Sequence, residues 1–120
     1  MNPRKKLKIE ELLKRELSST ILYQMNDPRT GFVSVTGVEL SEDQRSAEVR
    51  VTVRGDARDI QETLRVLTHA RGFLQGRIAE RLDLRYTPVL TFSEDEDVLK
   101  ARRLEQLIDE ARKDDLEFKP

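Results

Sequence analysis

Residues 58–85, RDIQETLRVLTHARGFLQGRIAERLDLR, decide how this chain folds. Drawn as one straight helix, this segment would be about 42 Å long at 1.5 Å per residue. A compact chain of 120 residues has a diameter of only roughly 35 Å. One unbroken helix would therefore extend beyond the domain that it has to cover.

The hydrophobic pattern of this segment predicts where the helix is interrupted. Its apolar stripe comprises Ile60, Leu64, Leu67, Leu74, Ile78 and Leu82. Arg71 lies on the same stripe, where a buried and unpaired guanidinium group would be very unfavourable. Gly72 costs about 1 kcal/mol relative to alanine inside a helix. We therefore predict a kink at residues 70–72 that turns Arg71 to the surface; the alternative is a continuous helix whose Arg71 stem lies along the core.

The bulk composition predicts one small cytoplasmic domain. Of the 120 residues, 37% are hydrophobic, which suffices for one modest core. Cysteine is absent, so disulfides and cysteine-ligated zinc are excluded. No apolar run approaches the roughly 20 residues that span a bilayer, and we expect no membrane association.

Charge is distributed unevenly along a chain whose net charge is only −1. Residues 1–31 carry seven basic and four acidic side chains, and residues 65–85 carry five arginines against two acids. Residues 93–120 carry ten acids against six bases. Two positive segments therefore precede an acidic C-terminal region.

The N-terminal segment predicts an amphipathic helix from about Lys5 to Met25, ending at residues 26–28, NDP. Lys5, Lys6 and Lys8 lie near the positive end of its dipole, where basic residues are disfavoured. Their placement indicates either a use outside the fold or a frayed, solvated terminus.

A β-hairpin is predicted next. Residues 31–40 form the first strand, with a bulge at Gly37, where the apolar alternation changes phase. Residues 47–53 alternate strictly and predict the second, antiparallel strand. Asp56 is placed to cap the helix that follows.

The C-terminal third predicts a strand at residues 89–92 and a helix from Val98 to about Arg112. We expect the apolar side of this helix to face inward, through Leu104, Leu107, Ile108 and Ala111. The acidic run at residues 93–97 either binds a metal or caps the helix N-terminus, and the absence of a second ligand cluster favours the cap.

These elements predict an α+β fold with a three-stranded sheet covered on one face, whose strand order the sequence leaves open. We assign residues 1–112 to a single domain and residues 113–120 to a polar tail.

The sequence contains no recognisable catalytic constellation. His69 is the single histidine and has no orienting carboxylate nearby in the sequence. No glycine-rich phosphate loop is present. We expect a protein that is not an enzyme and that requires no cofactor or metal.

The arginines of residues 65–85 indicate RNA-backbone binding, because guanidinium groups fork onto phosphate oxygens and stack on bases. They are Arg65, Arg71, Arg77, Arg81 and Arg85. The alternative is a solvated helix face on which Arg65 pairs with Glu62 and Arg77 pairs with Glu80.

The chain resembles the ribosome-binding factor A family over nearly its whole length. The resemblance rests on the order and spacing of short segments, which are DPR (27–29), VTGVELSED (35–43), AEVRV (47–51), ARGFL (70–74), LRYTP (84–88), and Phe92 followed by Asp95. The chain departs from the family pattern at Gln75 and Gly76, where a basic residue is usual, and at Gln44, where leucine is common.

The resemblance implies a KH-like fold of the second type, with the order helix, strand, strand, helix, kink, helix, strand, plus a C-terminal helix. It also implies a non-enzymatic assembly factor that binds the free small (30S) ribosomal subunit and its 16S rRNA. Such a factor assists late maturation and processing of the 5′ end of that RNA, notably in the cold.

The arginines and the resemblance together predict a set of RNA-binding residues. They are Arg71, Arg77, Arg81 and Arg85, assisted by Lys5, Lys6, Lys8 and Arg29, beside a kink formed by Ala70, Arg71 and Gly72. We expect a monomer. The alternative is a protein-interaction module that docks a basic partner through the acidic C-terminal helix or an exposed sheet edge; a nucleotide-hydrolysing role lacks a phosphate loop.

Overall fold

The fold is built around a central strand that pairs on both sides. A computed structural model describes residues 1–25 and 32–117, with side chains through Lys113. Its elements in chain order are α1 (Pro3–Tyr23), β1 (Val33–Leu40), β2 (Ser46–Val53), α2 (Ala57–His69), α3 (Arg71–Arg81), β3 (Val89–Glu94) and α4 (Glu96–Glu117). The predicted α+β fold and the KH-like element order are confirmed; the predicted helix end at residues 26–28 lies outside the described residues.

The sheet has the order β1-β2-β3, with β2 antiparallel to β1 and parallel to β3. The register of β1 on β2 shifts between Val35 and Gly37, which leaves Thr36 as the extra residue and confirms the predicted bulge. β2 is the central strand, and its side chains Ala47, Val49 and Val51 are buried in the core.

The core lies between one face of the sheet and helices α1, α2 and α3. All three helices supply side chains to it. The fully buried ones include Leu13, Leu17, Leu40, Val49, Leu67, Leu74, Ile78 and Leu90. The predicted coverage of one sheet face is confirmed.

The turn between β2 and α2 shows why α2 begins where it does. Asp56 accepts a 2.9 Å hydrogen bond from the amide of Asp59, whose carboxylate accepts a 3.0 Å bond from the amide of Asp56. This capping box confirms the predicted role of Asp56. Gly55 precedes it at φ 137°, and a Cβ there would collide with the Asp59 side chain.

Helix α4 projects from the body, and the prediction that its apolar side faces inward is wrong. Leu104 and Leu107 are 59% and 62% exposed, and Ile108 and Ala111 are exposed as well. The buried core is formed by the sheet and the first three helices, and α4 contributes no side chain to it. The radius of gyration is accordingly 17.9 Å, against about 13–14 Å for a compact chain of this length. The helix also continues to Glu117, beyond its predicted end at about Arg112.

The base of α4 is fixed to the sheet by polar contacts. The hydroxyl of Thr36 donates a 2.6 Å hydrogen bond to Asp95 Oδ2, while Asp95 Oδ1 accepts one from the amide of Asp97. Arg102 Nη1 lies 2.6 Å from Glu94 Oε1. Acidic residues also occupy the first turn of α4, so the predicted helix cap is confirmed. None of the described helices combines the length and apolar character needed to cross a bilayer.

Replacing Thr36 by valine should raise the pKa of Asp95 toward the ordinary aspartate value of about 4. The hydrogen bond from Thr36 is the main cause of the lowered pKa of Asp95, followed by the amides at the start of α4. A lowered carboxyl pKa stabilises the fold above the ordinary value, and this stabilisation is lost as the pH falls through the lowered pKa. Urea unfolding should therefore find the variant less stable than wild type at neutral pH, and the two should converge in acid.

The exposed Thr91 on β3 provides the control, since Thr91→Val leaves the Asp95 contacts intact. Carboxyl NMR titration follows the pKa directly. An Asp95 pKa that is the same in Thr36→Val as in wild type would contradict the assignment.

Candidate nucleic-acid interface

The interruption of the long central segment lies at Ala70. Helix α2 ends at His69, Ala70 has φ −84° and ψ 4°, and α3 begins at Arg71. The amide of Ala70 donates to the carbonyl of Val66, and the carbonyl of Ala70 accepts from the amide of Leu74, both at 3.0 Å. The backbone is thus hydrogen-bonded up to the break from each side.

The N-terminus of α3 has no side-chain cap. Ala70 stands at the capping position, and its methyl group cannot accept a hydrogen bond. The first amides of α3 therefore keep their donors for another acceptor, and the helix dipole makes an anion the favourable one. This end of α3 is a suitable place for a phosphate group.

Gly72, Phe73 and Gly76 form the exposed side of this helix end. A Cβ built on Gly72 or on Gly76 meets no atom within 4 Å. Neither glycine is therefore required by packing within the described part of the chain. Their lack of a side chain instead allows another backbone to approach α3 closely.

Arg71, at the start of α3, is half-buried. Its Nε is buried and finds no hydrogen-bond partner within the described residues, and the same holds for Nε of Arg77. Their stems are therefore held against the body. A buried donor without a partner is unfavourable.

Three of the other predicted cations are paired with carboxylates. Arg77 Nη1 lies 3.3 Å from Glu80 Oε2, Arg81 Nε lies 3.0 Å from Glu16 Oε1 on α1, and Lys6 Nζ lies 3.0 Å from Glu39 Oε1. The hydrogen bond to Glu39 raises the pKa of Lys6. The alternative pairing expected from the sequence is also present, since Arg65 Nη2 lies 2.7 Å from Glu62 Oε1. These pairs reduce the charge that the surface offers.

Lys5, Lys8 and Arg85 are exposed, and Arg29 lies outside the described residues. Lys5 and Lys8 belong to the first turns of α1, whereas Arg85 lies in the loop between α3 and β3. The structure therefore distributes the predicted cations over α1, α3 and this loop.

Two contacts near the start of β3 were not predicted from the sequence. The guanidinium carbon of Arg45 lies 4.7 Å from the ring centroid of Tyr86, and that of Arg85 lies 5.2 Å from it. Only the adjacency of Arg85 and Tyr86 was visible in the sequence, because Arg45 reaches the ring through the pairing of β2 with β3.

Gln75 positions α3 on the sheet. Its Oε1 accepts a 3.1 Å hydrogen bond from the amide of Leu90. Val89 donates its amide to the carbonyl of Arg45, which immediately precedes the neighbouring strand β2, so the next amide, that of Leu90, points to the outer edge of β3. An amide oxygen accepts there, which a lysine or arginine side chain could not do.

The described residues include no group of histidine, aspartate and glutamate side chains arranged to hold a metal ion. His69 is exposed at the last position of α2. The chemistry offered by this surface is therefore that of cationic donors and uncapped amides.

The family model for ribosome-binding factor A matches residues 5–108. The chain belongs to the ribosome-binding factor A family. Ribosome-binding factor A of Chromohalobacter salexigens is 44% identical over 110 residues, which are 90% of this chain and 84% of that one.

Solved structures of the ribosome-binding factor A family show the same fold. The crystal structure of ribosome-binding factor A from Thermus thermophilus is 31% identical with a TM-score of 0.68, over 74% of this chain and 94% of that one. A homology model of the Thermus thermophilus factor, fitted into the cryo-EM map of a 30S complex of that factor, is 31% identical with a TM-score of 0.61, over 72% of this chain and 90% of that one.

Replacing Gly72 by alanine should stabilise the protein and weaken its binding to single-stranded RNA. Alanine gains up to about 1 kcal/mol over glycine in a helix, and the added methyl group meets no protein atom. The same methyl group would obstruct a strand lying against the first amides of α3. Urea unfolding and fluorescence anisotropy with labelled RNA measure the two effects.

Gly76→Ala is the matched control, because it adds a methyl group in equally open space one turn further along α3. It should give a similar gain in stability with a smaller loss of affinity. If Gly72→Ala binds RNA as tightly as wild type, the α3 terminus is not in contact with the strand.

Proposed function

We propose that this chain is a non-enzymatic assembly factor that binds the free small (30S) ribosomal subunit through its 16S rRNA in the cytoplasm. The observation that carries the proposal is its likeness to the Thermus thermophilus factor fitted into the map of a 30S complex. The uncapped terminus of α3 supports it, because a phosphate acceptor satisfies donors that the fold itself leaves open.

In this proposal the break at Ala70 binds phosphate, as a phosphate-binding loop would. The RNA backbone lies over Gly72, where close approach is possible, and a phosphate accepts from the first amides of α3. Arg71, the first residue of α3, and Arg77, further along the same helix, add positive charge to this surface. Arg81 on α3 and Lys5 and Lys8 on α1 extend the positive charge beyond this position.

The finer role follows the family resemblance. We propose that the bound protein assists late maturation of the subunit and processing of the 5′ end of 16S rRNA, and that this assistance matters most at low temperature. RNA structures rearrange more slowly in the cold, so a protein that favours one arrangement of the strand has its largest effect there.

The first test is co-sedimentation with isolated small subunits, large subunits and complete ribosomes at two salt concentrations. Wild type should bind small subunits but neither large subunits nor complete ribosomes. The double variant Arg71→Gln, Arg77→Gln should be released from small subunits at a lower salt concentration than wild type. Each lost contact to single-stranded RNA reduces the log–log salt slope by about 0.7, so two contacts reduce it by about 1.4. Cells lacking the protein should accumulate 16S rRNA with an unprocessed 5′ end, most strongly in the cold.

Arg103→Gln is the control, since this exposed arginine belongs to α4 and not to the α3 surface. Circular dichroism verifies that each variant is folded. Binding of wild type to large subunits, or a folded double variant with an unchanged salt slope, would contradict the proposal.

A second candidate is a protein-interaction module, and the exposed side of α4 favours it. Leu104, Leu107 and Ile108 form an apolar surface on a helix that otherwise touches the body little. Residues 93–120 carry ten acids against six bases, so the complementary occupant is a basic protein segment. Such a segment would place apolar side chains on this face and basic ones beside it.

Replacing Leu104 and Ile108 by glutamine separates the two candidates. If α4 docks a basic protein of the subunit, this double variant should lose subunit binding while its affinity for protein-free 16S rRNA is unchanged. Retained subunit binding by the variant would exclude this role for α4. Because both residues are exposed, the variant should unfold at nearly the same urea concentration as wild type.

A further inference from the structure

The two arginines around Tyr86 form a charged cluster whose cations take part in no ion pair within the described residues. Arg45 and Arg85 are exposed, while Tyr86 is half-buried and anchors both guanidinium groups. Both guanidinium carbons lie within 5.2 Å of the centroid of the same ring, so the two positive charges are close to each other. Neither arginine forms an ion pair with a side chain in the described part of the chain.

This arrangement differs from the rest of the basic surface. Arg65, Arg77 and Arg81 each have a carboxylate within 3.3 Å, so much of their charge is neutralised. At the Tyr86 cluster the neutral ring holds the cations through its electron-rich face and leaves their charge in place. The hydrogen-bond donors at the guanidinium edges remain open to a ligand.

The cluster is also held in position by the backbone. Arg45 immediately precedes β2, and Tyr86 lies three positions before the first residue of β3. The carbonyl of Arg45 accepts a 2.9 Å hydrogen bond from the amide of Val89. Asp43 Oδ1 accepts hydrogen bonds from the hydroxyl of Ser41 at 2.7 Å and from the amide of Arg45 at 3.1 Å.

These contacts fix the turn before β2, in which Gln44 has a φ of 64°. They are also the main reason for the lowered pKa of the Asp43 carboxyl, to which the charge of Arg45 adds. Asp43 is thus occupied with the turn, and its carboxylate fixes the backbone of Arg45 and not its guanidinium group. A rigid turn that carries an unpaired cation loses little freedom when a ligand binds.

We propose that Arg45, Arg85 and Tyr86 form a second RNA contact, separate from the α3 terminus, that grips the phosphate backbone of a single-stranded segment. This inference rests on the proposed function. Two adjacent guanidinium groups fit a ligand whose negative charges repeat along a chain, and each can bind a phosphate through two donors. A single carboxylate of a protein partner would satisfy only one of them.

The position of the cluster fits one continuous strand. Gln75 of α3 contacts Leu90 at the start of β3, which is the same end of the sheet where Arg45 and Tyr86 lie. A strand that leaves the α3 terminus can therefore continue along α3 toward the cluster. The contact at Tyr86 extends the binding surface beyond the break at Ala70.

The experiment uses the full chain, small subunits and protein-free 16S rRNA. The double variant Arg45→Gln, Arg85→Gln should bind the RNA more weakly, with a log–log salt slope reduced by about 1.4 because two contacts are lost. Arg54→Gln is the matched control: Arg54 is exposed and lies 5.9 Å from the ring of Phe32, but at the opposite end of β2. This control should keep the wild-type slope.

A second pair of variants tests the ring. Tyr86→Phe keeps an aromatic face and should bind as wild type does. Tyr86→Leu removes that face while preserving an apolar side chain, and it should lower the affinity by roughly two- to fivefold. The double variant Arg45→Lys, Arg85→Lys keeps both charges, so it should retain the wild-type salt slope. It replaces the glutamine variant in the binding measurements if that variant fails to fold.

The outcomes separate this inference from the function on which it rests. Wild type that binds neither small subunits nor 16S rRNA would overturn the proposed function. Wild type that binds RNA while the folded double variant keeps the same affinity and slope would overturn the Tyr86 contact alone. A double variant that loses subunit binding but binds protein-free RNA normally would assign the cluster to a protein partner, and would also overturn it.

Discussion

The structure depends on one packing constraint, which is that Leu67 and Leu74 must both be buried although they lie on either side of Arg71. Both leucines are completely inaccessible to solvent. A straight helix that buried them would carry the arginine into the same apolar layer, where it would have no partner. Turning the chain at Ala70 lets α2 and α3 approach the sheet separately. The same turn creates a second helix N-terminus, and thereby the donors that the proposed RNA contact uses.

Much of the fold was predictable because its signals are local. The phase change at Gly37, the strict alternation over residues 47–53 and the Asp56 cap each correspond to one structural feature. The parallel pairing of β3 with β2 was not predictable, since no turn residue specifies it. For α4 the periodicity correctly marked an apolar side, but periodicity carries no information about what covers that side. Only the folded structure shows that no part of the body covers the apolar side of α4.

The candidate site was predicted less fully than the fold, because the effective charge of a residue depends on its neighbours in space. Arg81 meets Glu16 and Lys6 meets Glu39, contacts that join residues distant in sequence. By contrast, Arg45 had no role in the predictions. The tertiary structure nevertheless places it against Tyr86, and no carboxylate of the described residues forms an ion pair with it. The pairs also orient the surface, since Arg81 joins α3 to α1.

The length and slender attachment of α4 have a mechanical consequence. Its 22 residues form a rod about 33 Å long, joined to the body at Glu94 and Asp95. A turn of about 20° at this base would sweep the far end through roughly 11 Å, as for any rigid arm of this length. The compact body and the outer half of this arm therefore present two surfaces that lie far apart, and a small change of angle at the base moves one of them a long way relative to the other.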